Sequence, residues 1–211
     1  QRDSEVFIPS GDSFIQKGDR IHITGAYEDI STFLKITNYI TKQVRSSLIV
    51  GGGKIAYYLL DMLKTTKIHP KVIEVNEERA KFLSEQFPNA TIIHADGTDH
   101  DVLEEEMLTN YDSFVSLTGI DEENLILSVY AKNRGVRKVI TKMSRIGILK
   151  VLKNVDPQSI ITPKQIVANE IVQFVRARAN TKGSNVEALY RVADNQVEAL
   201  QFRIERNSRV C

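Results

Sequence analysis

Residues 48–56 read Leu-Ile-Val-Gly-Gly-Gly-Lys-Ile-Ala: a short apolar run that breaks into glycines, after which apolar residues return at helical spacing. A run this short and apolar throughout suits a strand covered on both faces, and the spacing after it suits a helix. Between them Gly51, Gly53 and Ala56 form G-x-G-x-x-A. In such a junction the first glycine permits the sharp reversal and the second lets the backbone approach a pyrophosphate. The small third residue lets the helix pack against the sheet. A flexible loop is the plain alternative, but the strand before it and the helix after it argue for the tight turn.

The same alternation continues along the chain. The pattern predicts strands at 48–50, 72–75, 91–93, 113–117, 138–142 and 159–161, with helices at 55–63, 77–86, 101–107 and 123–133. Apolar strands separated by helices imply an α/β fold, a Rossmann-like doubly wound parallel sheet with right-handed crossovers. Thr162-Pro163 has the form of an N-cap followed by proline at the first helical position, and it opens a helix reaching about Arg178 with Ile166, Val167, Ile171, Val172 and Val175 as its apolar stripe.

The flanks follow a different pattern. In EVFIPSGDSFIQKGDRIHITG apolar and polar residues alternate between turn signals, which predicts short strands. A helix pattern over 27–39 and a polar linker follow. After a polar stretch at 180–185, alternating strands are predicted again over 186–204. The expected organisation is therefore a partial small domain at 1–40, a linker at 41–46, the Rossmann domain at 47–178, a linker at 179–186 and the start of a second small domain at 187–211. With no initiating methionine and both ends interrupting a pattern, a piece of a longer protein is expected.

Composition excludes several classes. A formal charge of +1 leaves no broad basic footprint for nucleic acid, and no apolar run approaches the ~20 residues of a membrane helix, so direct membrane insertion is not expected. The single cysteine, Cys211, allows no internal disulfide or cysteine-based metal site, and a reducing, cytoplasmic location is expected. His22, His69, His94 and His100 fall on separate elements without metal-ligand spacing, so no metal is expected.

The residues with ligand chemistry cluster at the carboxyl ends of the predicted strands, where open α/β sheets bind ligands. Backbone groups of Gly51, Gly52, Gly53, Lys54 and Ile55 would meet phosphates at the helix N-terminus. Glu74 ends the second strand about 20 residues beyond the glycines, where a carboxylate accepts hydrogen bonds from ribose hydroxyls and repels a 2′-phosphate, favouring NAD over NADP. A surface ion pair is the alternative for Glu74. Asp96-Gly97-Thr98 follows the third strand, suited to the adenine side or equally to a plain Asx-turn. Thr118 and Gly119 end the fourth strand and Lys142 the fifth, so a hydroxyl and a cation could line the crevice, though a lysine in that place is more often just solvated.

No catalytic residue stands out. None of the seven tyrosines has a lysine four residues on, and neither a G-x-S-x-G elbow nor G-x-x-x-x-G-K-[ST] is present. An NAD-dependent oxidoreductase acting on a small substrate is kept as the alternative function, because it would need a proton relay that the chain does not display.

Several segments carry a specific resemblance: LIVGGGKIA, VIEVNEERA, HADGTDHDVLEEE, SFVSLTGIDEENLILSVYAKNRGVRKVI and IITPKQIVANEIVQFVR. In order and spacing they resemble the RCK (KTN) family of TrkA-type potassium uptake regulators. The resemblance implies a second RCK_N unit, with the end of one RCK_C domain before it and the start of another after it. It implies NAD or NADH in the cleft, with ATP or ADP as other occupants, and no enzymatic activity. Gly51 to Ile55 would then face phosphates, Glu74 the adenosine ribose and Asp96 to Thr98 the adenine, with Thr118 before the acidic stretch Asp121, Glu122 and Asn124. Val75 stands where many relatives have arginine, and Ala95 where they have glycine. The implied partners are a membrane-embedded potassium transporter subunit (TrkH/TrkG/KtrB-like) and further copies of the chain as a dimer or tetramer. That would hold it at the inner face of the plasma membrane. A helix at 148–154 and the helix at 163–178 are the candidate dimer contacts, with packing inside the domain as an equal alternative.

Overall fold

The computed structural model describes residues 1–2, 5–38, 43–145, 147, 160–179, 186–192 and 196–202. The chain divides into two compact units, Lys42–Ile166 and a second made of Gln1–Thr41 with Val167–Cys211. The helix expected at 148–154 and the polar stretch at 180–185 lie outside the described residues.

The first of these units is a six-stranded parallel sheet of order β3-β2-β1-β4-β5-β6, formed by β1 (Ser46–Val50), β2 (His69–Glu74), β3 (Thr91–His94), β4 (Ser113–Ser116), β5 (Lys138–Lys142) and β6 (Ile160–Ile161). Its helices are α2 (Lys54–Leu63), α3 (Glu77–Gln86), α4 (His100–Glu105) and α5 (Asp121–Asn133), with a 3-10 turn at Leu108–Asn110. The order reverses between β1 and β4. That reversal is the switch point where a doubly wound sheet opens a crevice at its carboxyl edge.

The period-two alternation of β1 splits the core. Ile49, on one face, packs with Ala56 and Leu60 of α2, Val72, Leu83 of α3, Phe87 and Val115. Leu48 and Val50, on the other, pack with Ile73, Phe114, Val139, Leu103 of α4 and Leu127 and Ala131 of α5. Leu60, Leu83, Phe87 and Phe114 are wholly buried, each side chain stabilising the fold by about 1.5–3 kcal/mol. Pro88 keeps Phe87 out of the helical region and so ends α3, and Phe87 adopts φ −129° and ψ 72°.

A chain of hydroxyls ties β4, α5 and β5 together. Thr141 Oγ1 donates to Ser128 Oγ at 2.7 Å, Ser128 lies 2.9 Å from Ser116 Oγ, and Ser116 Oγ donates to the Asn124 carbonyl at 3.0 Å. With the outer two protons assigned, the proton between the serines must come from Ser128. Beside α2, an apolar recess of about 470 Å³ runs along the sheet, lined among others by Ile55, Tyr58, Met62, Leu117, Ile140 and Lys142.

The second unit contains α1 (Tyr27–Ile36), much of α6 (Pro163–Ala179) and an antiparallel hairpin of β7 (Val186–Val192) and β8 (Val197–Phe202). The division between the units thus falls within α6, near its start. The strands expected across residues 6–23 do not form. Apart from an isolated bridge between Arg2 and Glu5, the described residues there form turns, tied by the bidentate pair of Arg2 with Asp19. Alternation only makes a segment suitable for a half-buried strand, and a strand also needs a partner in register. Phe14 stays 86% exposed. Among the described residues, no helix is long and apolar enough to cross a membrane.

Candidate functional site

The glycine turn is anchored on both sides. Gly51 N–H donates to the Ile73 carbonyl at 2.9 Å, and Leu117 N–H donates to the Val50 carbonyl at 2.7 Å. Gly51 takes φ +99°, a conformation that side chains rarely adopt. A Cβ there would lie 2.8 Å from the Leu117 carbonyl carbon. Gly53 is the N-cap of α2 and has ordinary angles, and a Cβ on it would meet nothing within 4 Å. The first glycine therefore serves the turn, and the second faces open space.

No side chain caps α2, and its first turn holds no acidic residue. Two other helices of the sheet differ, and α5, also without a side-chain cap, carries three acids in its first turn. Asn76 accepts from Arg79 N–H to cap α3, and Asp99 accepts from Asp101 N–H to cap α4. The N-terminus of α2 thus keeps the unmet N–H groups and partial positive charge that suit a phosphate.

Glu74, at the end of β2, engages two backbone groups. Its Oε2 accepts from Gly52 N–H at 2.5 Å and its Oε1 from Asn76 N–H at 2.8 Å. The carboxylate is oriented by the glycine turn and retains lone pairs for a further donor. Arg79 holds the turn from the other side, with Nε donating to the Gly52 carbonyl at 2.8 Å and a guanidinium nitrogen to the Gly53 carbonyl at 3.3 Å. The Gly52 peptide is thus gripped at both ends. Sequence reasoning missed Arg79, although its place in the first turn of a helix that Asn76 caps was a usable signal.

Asp96 closes an Asx-turn, accepting from Thr98 N–H at 2.9 Å and Thr98 Oγ1 at 2.7 Å through the same oxygen, Oδ1. These donors, the backbone one foremost, hold its carboxyl below the usual aspartate range. The Asx-turn does not consume Asp96: it leaves Oδ2 open on the same wall as Gly97.

At the end of β4, Thr118 Oγ1 exchanges hydrogen bonds with the Ile120 backbone. Asn124, wholly buried, accepts from Thr118 N–H at 2.8 Å and donates to the Thr118 carbonyl at 3.1 Å and the Lys142 carbonyl at 3.2 Å. One amide therefore shapes the loop from Thr118 and ties it to the end of β5.

Lys142 does not line the cleft. Its ammonium donates to the Thr118 carbonyl at 3.2 Å and lies 3.7 Å from Asp121, while the side chain borders the apolar recess beside α2. A buried carboxylate close by captured it, a partner that strand-end position could not reveal. Asp121 is 3% exposed and also accepts from Ser144 and Arg145 N–H groups at 2.9 Å. Burial pushes the Asp121 carboxyl up, but the Ser144 and Arg145 amides, with Lys142 and Arg145 as nearby cations, outweigh it and hold the carboxyl below its ordinary value.

A depressed folded-state value stabilises the fold above the unfolded aspartate value of about 3.9, and that stability is lost as pH falls through the lower, folded value. Asp121→Asn is expected to lower stability at neutral pH and to flatten the acid limb of a stability-against-pH curve obtained by urea unfolding. Parallel acid limbs in the two proteins would contradict this.

The cleft that results has a volume of about 470 Å³ and is lined by Gly51, Gly53, Glu74, Asp96, Gly97, Thr98, Thr118 and Gly119, with Val50, Ile73, Val75, Leu117, Ile120 and Glu123. Gly52, Lys54 and Ile55 are not on its wall. Gly52 is buried against Glu74 and Leu83, and Ile55 borders the apolar recess. Glu123 lines the cleft and was not foreseen, because it had been read only as part of a helix.

The TrkA-N domain model matches residues 47–163. A Trk system potassium uptake protein TrkA homolog from Methanosarcina mazei is 27% identical over 210 residues, covering 99% of this chain and 46% of that protein. Trk system potassium uptake protein TrkA from Vibrio alginolyticus is 30% identical over 209 residues, covering 99% and 45%. The chain thus spans about half the length of these curated relatives. Among solved structures, the TrkA-N domain of inner membrane protein ybaL from Escherichia coli matches with a TM-score of 0.54 at 14% identity, covering 62% of this chain and 96% of that one. The fold is common to that structure, and with the family model matched over more than half of its length, the chain belongs to the TrkA-N domain family.

Proposed function

We propose that this chain is the dinucleotide-binding part of a regulator of Trk-type potassium uptake, with NAD or NADH held in the cleft beside the glycine turn. The observation that carries the reading is the uncapped N-terminus of α2 meeting Glu74 across the Gly51–Gly53 turn, because it pairs a phosphate site with a ribose acceptor. Open space at Gly53 suits close approach of a pyrophosphate. When bound, the dinucleotide would supply a ligand signal, and the chain's own residues would position it: Glu74 the adenosine ribose, Asp96 to Thr98 the adenine side, Thr118 and Gly119 the far half. ATP or ADP would use the adenosine part of the same cleft.

The regulatory half of the proposal rests on the relatives, which are named as Trk system potassium uptake proteins. Ligand binding would favour one arrangement of paired copies of this fold, as a dimer or tetramer, and a membrane-embedded potassium transporter would respond. A coupling of about 1–3 kcal/mol suffices for such a switch. No turnover is part of this reading.

Calorimetric titration with NAD, NADH and ATP tests it. The wild type is expected to bind a nicotinamide dinucleotide, and Glu74→Ala to weaken that binding by roughly 10- to 100-fold, the loss of charge-assisted hydrogen bonds to ribose. If none of the three ligands binds the wild type, the proposal has no basis. Potassium flux through the partner transporter, with and without the dinucleotide, tests the regulatory half.

A further inference from the structure

The cleft wall carries three carboxylates, Glu74, Asp96 and Glu123, and no lysine or arginine. Of the nearby cations, Arg79 is committed to the Gly52 and Gly53 carbonyls and Lys142 to Thr118 and Asp121, while Lys54 opens α2 outside the wall. Two of the carboxylates are engaged by backbone groups, Glu74 by Gly52 and Asn76, Asp96 by Thr98. Glu123 differs. No hydrogen bond or ion pair with a described residue engages it, whereas its neighbours Asp121 and Glu122 are both paired.

Position gives this carboxylate its meaning. Along the sheet order, Asp96 follows β3, Glu74 ends β2, the glycine turn follows β1, and Thr118 to Glu123 follow β4. A dinucleotide with its adenosine ribose on Glu74 and its phosphates on the turn must extend its other half toward β4. Resting on that placement, we propose that Glu123 is a specificity residue that makes the cleft favour oxidised NAD over NADH and over ATP.

The reason is charge. The oxidised nicotinamide ring is cationic and the reduced ring neutral, so a carboxylate beside the ring attracts the first and not the second. Leu117 and Ile120, apolar neighbours on the same wall, lower the local dielectric and strengthen the effect. A triphosphate adds negative charge to a wall that already carries three carboxylates and no cation. The cleft would thereby report the redox poise of the nicotinamide pool.

Competition titrations of NAD, NADH and ATP on wild type and Glu123→Gln test this. In the wild type NAD should bind about three- to tenfold more tightly than NADH, with ATP weaker than either, as expected for one partly solvated charge pair. Glu123→Gln should bring the NAD to NADH ratio close to one. Glu123 loses no partner on substitution, and the wild-type ratio at low and high salt is a second reading that needs no variant: it should shrink as salt screens the pair. Tighter NADH binding in the wild type, or a ratio unchanged by both substitution and salt, would overturn the inference and leave the dinucleotide reading intact. Failure of every nicotinamide ligand to bind would remove both.

Discussion

Gly51→Ala is expected to lower the free energy of unfolding by about 2–6 kcal/mol and to abolish dinucleotide binding. Two costs add. A non-glycine residue held at φ +99° costs about 1–3 kcal/mol, and a Cβ placed 2.8 Å from the Leu117 carbonyl carbon and 2.9 Å from Thr118 N must force backbone apart, for about 1–3 kcal/mol more. The clash cannot relax cheaply, because the hydrogen bonds from Gly51 to Ile73 and from Leu117 to Val50 pin the turn to β2 and the end of β4 to β1. Urea unfolding and calorimetry read the two effects separately. Gly53→Ala provides the contrast. With open space around it and an ordinary φ of −66°, it should cost the fold under about 1 kcal/mol while still weakening phosphate binding. Equal destabilisation by the two substitutions would refute this division of labour between the glycines.

The second large effect is expected at Asn124. Replacing it with leucine keeps the branched shape but strands the Thr118 N–H and the Lys142 carbonyl in a part-buried setting, at about 1–3 kcal/mol for each unsatisfied group, so a total loss of about 2–6 kcal/mol is expected. The Thr118 carbonyl keeps Lys142 Nζ as a donor and adds less. Asn124→Asp should also destabilise, since it presents a buried carboxylate oxygen to carbonyls that the amide nitrogen had served. The Thr118 loop forms one wall of the cleft, so the dinucleotide should bind more weakly to whatever fraction remains folded. A change below about 1 kcal/mol in urea unfolding of the leucine variant would show that water replaces the amide and that the loop does not depend on it.

Much of the Rossmann unit was legible because its determinants are local. The period of α3 and its Asn76 cap lie within one stretch of chain, and the predicted helix at 77–86 coincides with Glu77–Gln86. The apolar run of β5 likewise coincides with Lys138–Lys142. Glu74 could be placed at the carboxyl edge because strand length and the glycine turn locate the end of β2 without knowledge of any partner. At 6–23 the same kind of reasoning went astray. A strand is a property of two segments, and alternation in one of them says nothing about its mate.

Side-chain destinations were decided by residues distant in sequence. Lys142 occupies the strand-end position that suits a ligand cation, yet a buried carboxylate on α5 and the Thr118 carbonyl hold it outside the cleft. Arg79 and Glu123 fall within predicted helices, and only packing shows one gripping the glycine turn and the other unpaired on the cleft wall. The sequence by itself determined that a tight glycine turn joins β1 to α2 and that an acid ends β2 beside it, because glycine geometry and strand periodicity act over a few residues. The tertiary structure alone decided the charge of the cleft around that turn, because electrostatic partners are chosen by proximity in space and by burial, which no local pattern encodes.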